Sequence, residues 1–494
     1  MPKPSSNFVA NVLKLVTGSL FAQGLGIMVT PILTRLFVPE AFGIAALFTS
    51  IAGIINVVVC LRYELSIMLP KTEEEAANLF FLSISFVFII ATISLLIIFL
   101  FADNIVLLLN SQELKKYLFF IPLSVFISGA FLAMNYWNSR KKYFGRLSIA
   151  RIVSSTTTQA TKLTAGFAGY VSGGGLIFST IIGQFVSMSV LGCQIWRDDF
   201  RLFKERVRWK KMIVGFKRHK KFPIFSTWSA LLNTGSQHLP TWILAFYFSP
   251  AVVGFYALGK LVLSTPMGLI GGAIAKVFYQ RAADTNNRIG EMTNVVEEVF
   301  KRLISLGIFP ILLLTFIGKD VFIIAFGAQW AEAGVYVQIL SLWIFFQFIS
   351  SPLSIIFGVL ERQGSYLIFD IILFLGRLLS LICGGLTGDI LITLSLFSMT
   401  SVLCYIFLSY WILLNAGVSL MHILFHLGKY ALYCVPMMVV IALLKWALVL
   451  NPVFILLVGV LSAIPYYAII LKREGILRSP VKALLNNSIK FFQP

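Results

Sequence analysis

Eleven ionisable side chains stand inside runs of apolar residues: Lys14, Arg35, Arg62, Glu64, Arg151, Lys162, Lys260, Lys276, Asp370, Arg377 and Lys445. A charge in hydrocarbon costs at least about 2.5–3.5 kcal/mol on insertion scales, so such residues face a bundle interior or an aqueous cavity. Lys445 reads as an interfacial snorkeller. The remaining cations outnumber two acids, and a positively biased interior attracts an anion. Arg and Lys hold phosphate or carboxylate oxygens by charge-assisted hydrogen bonds. The cationic cavity set is Arg62, Arg151, Lys162 and Lys260, joined by Lys14, Lys276 and Arg377. Glu64 stands two residues from Arg62, which on a continuous helix points it to a different face. Glu64 and Asp370 are the candidates for a coupling ion or for charge pairing.

Several of these residues share faces with hydroxyls and amides. Arg151, Ser155, Thr158 and Lys162 are spaced 4, 3 and 4 apart, one stripe of a helix. Ser226, Ser229, Asn233 and Gln237 repeat the pattern, and Asp370 and Arg377 lie seven apart, on one face but beyond direct pairing. Such stripes hold helices together through interhelical hydrogen bonds, or they meet sugar hydroxyls; Ser155, Thr158, Asn233 and Gln237 are the candidates for sugar contact. No metal site is expected. His422 and His426 have ligand spacing but no third ligand nearby in sequence. Gly254 to Leu261 nearly spells a phosphate loop, yet Leu261 stands where Mg²⁺ needs a hydroxyl. Gly173-Gly174-Gly175 reads as a turn and Glu73-Glu74-Glu75 as a solvated helix start. The five cysteines, Cys60, Cys193, Cys383, Cys404 and Cys434, all lie in apolar runs without a Cys-x-x-Cys pair, so neither disulfides nor zinc are expected.

The elements that carry these groups follow from composition. Of 494 residues, 58% are hydrophobic and 12% charged, against about 25% charged in a soluble domain. Apolar runs of 20 or more residues match a bilayer core. The chain therefore reads as an all-α polytopic membrane protein, which excludes a soluble enzyme, a nucleic-acid-binding protein and a disordered scaffold. Fourteen spans are predicted, at about 8–36, 41–69, 75–101, 115–138, 143–170, 174–196, 222–248, 251–280, 295–317, 332–358, 364–386, 389–415, 424–449 and 451–471. The first run is too long for a cleaved signal and is expected to stay as a span. With both termini inside, inside connections hold 26 Lys and Arg and outside ones only Lys115, Lys116 and Lys319. That asymmetry places both termini in the cytoplasm and explains a net charge of +20 without nucleic acid.

A short motif recurs. Pro39-x-x-x-Gly43-x-x-Ala46-Leu47 and Pro250-x-x-x-Gly254-x-x-Ala257-Leu258 are offset by 211 residues, each opening the second span of a half. Six spans per half keep the orientation, as in the parallel repeats with which transporters bracket a central site. The expected organisation is an N-lobe at 1–196, a basic cytoplasmic connector at 197–221, a C-lobe at 222–415, an appendage of two helices at 416–472 and a tail at 473–494.

Thr34-Arg35-Leu36-Phe37-x-Pro39-Glu40-Ala41-Phe42-Gly43 resembles the first-to-second helix turn of the Wzx-type polysaccharide flippases of the MOP superfamily. Leu61-Arg62-Tyr63-Glu64-Leu65-x-x-x-Leu69-Pro70-Lys71, Trp137-Asn138-Ser139-Arg140-Lys141-Lys142-Tyr143-Phe144 and Phe326-Gly327-x-x-Trp330 are also similar to that family. No cofactor is expected, and coupling to a proton or a sodium gradient stays open at the level of sequence. The resemblance implies an undecaprenyl-diphosphate-linked oligosaccharide as partner, carried across a bacterial inner membrane by alternating access, and a neighbouring polymerase and chain-length machinery. Arg62 matches a region where related lipid flippases carry important arginines. The rivals are a drug or cation exporter of the same superfamily, which wants an acidic cavity, and a membrane polymerase or ligase, which wants a large outside loop with catalytic residues.

Overall fold

A computed structural model describes residues 6–288, 292–360, 362–447 and 451–474. Among them the chain is helical and no strand is present. The long helices are α1 Ser6–Leu36, α2 Pro39–Val58, α3 Glu73–Leu108, α4 Ile121–Arg140, α5 Phe144–Phe167, α6 Gly173–Arg206 and α7 Thr227–Tyr247. They continue as α8 Pro250–Arg288, α9 Thr293–Phe326, α10 Ala331–Leu353, α11 Gln363–Leu386, α12 Ile390–Asn415, α13 Leu420–Ala442 and α14 Pro452–Leu461, the last extended by Ala463–Glu474. Eleven are long and apolar enough to cross a membrane, and Gln112–Leu118 with α4, bent by 52°, makes a twelfth. The other two, α5 and α7, are the helices whose polar stripes lower their hydropathy. The expected fourteen spans are therefore all present as helices.

Local chemistry sets the helix starts. Pro39 opens α2 and Pro452 opens α14, at positions where an N–H would lack a partner anyway. Thr72 caps α3 by accepting from the Glu75 amide, and Ser419 caps α13 by accepting from the His422 amide. Gly173, Gly174 and Gly175 are not a turn, as the sequence suggested, but the first turn of α6; added Cβ atoms there would meet Ile44, Tyr117 and the Tyr170 carbonyl.

Two compact units are present. The first comprises residues 1–258 and 370–393, the second 259–369 and 394–494. In the first, α5 packs along α1 and α6, α4 along α3 and α6, and α2 against α4, α6 and α7. Small residues let the backbones approach: a Cβ on Gly18 of α1 would fall 2.1 Å from Ser148 Oγ of α5. The two copies of the repeated motif meet in this unit. A Cβ on Gly43 would lie 1.7 Å from the Pro250 carbonyl oxygen, and one on Gly254 would lie 1.9 Å from that of Pro39. Each proline carbonyl thus occupies the space the other motif's glycine leaves open, a reciprocal contact of the kind a two-fold relation generates.

In the second unit α9 packs on α10, α13 and α14. Helix α9 kinks at Ile317 (φ −120°, ψ 18°). Lys445, which its place near a helix end suggests as an interfacial snorkeller, has two partners within this unit. It donates to the Phe316 carbonyl at 2.9 Å, next to the kink, and to Asp320 Oδ2 at 2.7 Å. A kink leaves a backbone acceptor without its helical donor, and an ammonium paired to a carboxylate supplies one.

Candidate functional site

Arg151 lies on the wall of a cavity of about 450 Å³ inside the first unit, formed by α1, α4, α5 and α6. Its walls are Ser19, Ala22 and Gln23 of α1, Ser128 and Phe131 of α4, Arg151, Ser154 and Ser155 of α5, and Gln184 and Ser187 of α6. One cation, two amides, five hydroxyls and one aromatic ring line it, and no carboxylate. A frame of hydrogen bonds holds the wall residues: Arg151 Nη1 donates to Ser19 Oγ (2.6 Å), Ser155 Oγ to the Ala22 carbonyl (2.8 Å), and Ser128 Oγ to Asn56 Oδ1 (2.7 Å). The predicted stripe on α5 is real, because α5 is regular from Phe144 to Phe167 and packs between α1 and α6. Its members divide their work. Arg151 and Ser155 face α1 and the cavity, whereas Thr158 presses on Gly183 of α6, its Oγ1 lying 1.9 Å from where a Cβ would stand. Lys162 is half-buried farther along the helix and is not one of the cavity's wall residues.

Arg62 differs most from expectation. The second span was read as one helix over 41–69, which put Arg62 and Glu64 on different faces. Instead α2 ends at Val58, and Leu61 and Arg62 adopt left-handed backbone conformations (φ 47° and 62°) before a one-turn helix at Tyr63–Ser66. Left-handed residues abandon the 3.6-residue period, so Arg62 Nη1 comes 3.7 Å from Glu64 Oε1. The arginine side chain stays 30% exposed while the glutamate's is 2% exposed. Arg62 is therefore a half-exposed cation with a buried counter-ion, and Glu64 takes the pairing role.

The other candidates are dispersed. Arg377 is 2% exposed and donates to Ser236 Oγ at 3.0 Å, tying α11 to α7. Asp370 is buried. Gln237 donates to Asn233 Oδ1 (2.8 Å), and both are exposed. Lys260 is half-buried and Lys276 exposed. The second unit has its own cavity of about 280 Å³, whose walls include Ser264, Gly271, Gln347 and Ser351 but neither of those lysines. The Lys14 side chain lies outside the described residues. None of the five cysteines is in a disulfide, and no group of three metal-binding side chains occurs among the described residues.

Sequence reasoning missed a cluster of charges around the connector. Residues 197–221 are mostly helical: α6 runs on to Arg206, and an amphipathic helix follows at Trp209–Arg218. The acids at the start of α3 are not merely solvated. Glu74 pairs with Lys211, Glu75 with Arg218 (3.3 Å) and Glu73 with Lys141 (2.7 Å). Arg140 donates to the carbonyls of Ile67, Pro70 and Thr72, which ties the Trp137 motif to the segment after Arg62, and Trp137 Nε1 donates to Asp199 Oδ2 at 2.8 Å. Burial acts to lower the pKa of Lys141, but its Glu73 hydrogen bond and the Asp199 charge outweigh that and hold it above the ordinary lysine value. Burial, with the adjacent Arg218 charge, holds His219 below the usual imidazole range. His422 and His426 both approach Glu297, at 3.9 and 2.9 Å, without forming a metal-binding group among the described residues.

The arrangement, helices carrying cations and hydroxyls into an apolar bundle, is that of a polytopic all-α membrane protein. Among solved structures the chain is similar to the lipid II flippase MurJ in its inward closed conformation, with TM-score 0.74 and 14% identity over 93% of this chain and 98% of that one. It is also similar to an inward-facing multidrug resistance MATE family transporter of the MOP superfamily, with TM-score 0.61 and 13% identity over 80% of this chain and 94% of that one. At such identities the likeness is one of fold. No curated protein matches the sequence. A family profile described as polysaccharide biosynthesis protein matches residues 32–335, and the chain belongs to that family.

Proposed function

We propose that the protein is a flippase for a lipid-linked oligosaccharide, moving the repeat unit on undecaprenyl diphosphate from the cytoplasmic to the outer leaflet of a bacterial inner membrane. In this reading the lobes 1–196 and 222–415 alternate access, residues 416–472 are an appendage, both termini are cytoplasmic, and the product feeds O-antigen, capsule or exopolysaccharide assembly. A polymerase with its chain-length machinery receives it. The observation that carries the reading is Arg151 on a hydroxyl- and amide-lined cavity whose walls hold no carboxylate. A cation exporter needs acids where this cavity has a guanidinium, and moving a lipid-linked sugar needs no bond made or broken, so no catalytic group is assigned. Membership in the polysaccharide biosynthesis family and a fold like that of a lipid II flippase support the same class. Arg62, Lys162, Lys260, Lys14, Lys276 and Arg377 complete the cationic set, with Glu64 or Asp370 coupling a proton or sodium gradient.

The test is flipping in proteoliposomes of a fluorescent undecaprenyl-diphosphate oligosaccharide, followed by quenching of the outer leaflet. The expected result is transport that Arg151→Gln slows about tenfold or more, as loss of a charge-assisted contact requires. Absence of flipping, with uptake of a cationic drug instead, overturns it.

A further inference from the structure

The cavity bearing Arg151 has chemistry more specific than a cationic lining. We propose that it is a subsite for one anionic hexopyranose, a sugar ring bearing a carboxylate or a phosphate, with Arg151 on the charge and Ser187, Gln184 and Gln23 on the hydroxyls. This deepens the flippase reading and rests on it for the source of the sugar.

Three observations converge. The volume of about 450 Å³ falls in the range of small-molecule sites and suits a sugar ring, not a whole repeat unit with its lipid. The walls join a guanidinium to amides, hydroxyls and the ring of Phe131, the groups that meet an anion, a set of hydroxyls and an apolar sugar face. Ser187, finally, is 3% exposed and its hydroxyl has no hydrogen-bond partner among the described residues. A buried hydroxyl without a partner costs about 1–3 kcal/mol, and this one stands on the cavity wall, where a ligand hydroxyl would satisfy it. Neighbouring groups are already committed: Ser155 and Ser128 donate to Ala22 and Asn56, so they hold the walls, while Arg151 uses only one of its five N–H donors on Ser19 in the bonds described. No acid lines the cavity, so the ligand supplies the counter-charge.

The experiment measures binding of glucuronate, glucose 1-phosphate, inorganic phosphate and glucose to the full-length protein in nanodiscs by isothermal titration calorimetry. Glucuronate or glucose 1-phosphate is expected to bind about tenfold or more tightly than glucose, and which of them binds better tells carboxylate from phosphate. Arg151→Gln is expected to erase that preference and Arg151→Lys to restore part of it. Ser187→Ala is expected to weaken binding about threefold to tenfold without lowering the melting temperature, because the hydroxyl it removes has no protein partner. Glucose binding as tightly as glucuronate overturns the proposal. So does binding of inorganic phosphate alone, or binding indifferent to both Arg151→Gln and Ser187→Ala. Because the assay needs no transport, sugar binding without flipping would retain the subsite and reject the flippase; flipping without sugar binding would do the reverse.

Discussion

Arg62 and Glu64 show how far a single turn decides what a charge can do. Removing the arginine does two things, because it withdraws a half-exposed cation and leaves a carboxylate with a 2%-exposed side chain without its counter-ion. The second effect costs about 1–3 kcal/mol and mimics lost transport through lost protein. Arg62→Ala is therefore expected to lower both flipping and the melting temperature, and Glu64→Gln added to it to restore the melting temperature alone. Recovery of flipping in the double variant would make the arginine a structural partner of Glu64, with no part in holding substrate. Arg151 was legible in the sequence because α5 keeps the helical period from Phe144 to Phe167, so a 4, 3, 4 spacing means one face. Arg62 was not, because nothing in Leu61-Arg62-Tyr63 signals a left-handed turn; neither Leu nor Arg favours it, and tertiary contacts such as the Tyr63 hydroxyl on the Phe216 carbonyl (3.0 Å) accompany it.

Each apolar run holds a helix, since hydropathy and length are local properties of the chain, although α2 stops at Val58 inside the run 41–69. What was not legible is how elements are joined. The connector helix Trp209–Arg218 is basic enough to read as a plain charged loop, yet it packs on α3 with Gly215 against Leu79, and its Met212 is buried. Its ion pairs to Glu74 and Glu75 are partly to mostly exposed, where solvent screens them and they hold little. Glu74→Gln with Glu75→Gln should thus leave amide exchange in 209–218 slow, whereas Met212→Glu should make it fast; the opposite ranking would mean that charge holds the helix. Lys445 and Asp320 pose the complementary case, with side chains 21% and 16% exposed. Either Lys445→Leu or Asp320→Leu alone should lower the melting temperature by stranding the other charge, and the pair together should recover part of the loss. Additive losses would show that the two do not depend on each other.

At the scale of the whole chain, orientation and repeat are the properties that matter, and both rest on patterns spread over hundreds of residues. The 26-to-3 division of basic residues predicts that reporters fused at Asn104 and Asp389 lie outside and one at Trp209 inside; reversal at any two would overturn the topology. The repeat carries a sharper test. Two motifs 211 residues apart meet reciprocally, with the Pro250 and Pro39 carbonyls in the space a Cβ on Gly43 or Gly254 would need. A contact below 2 Å with backbone cannot be relieved by turning a side chain, so even alanine must push the two motifs apart. The two glycines serve one contact, and once either is replaced the contact is already open. Gly43→Ala and Gly254→Ala are therefore expected to slow flipping by similar factors, and the double variant to be no slower than the worse single one, a strongly non-additive cycle. Alanine at Ala46 or Ala257 is the natural residue, so Ser at those two positions serves as the control for change near the motif, with membrane protein level measured throughout. If the losses at Gly43 and Gly254 multiply, the two motifs act separately, and the reciprocal contact has no part in the transport cycle.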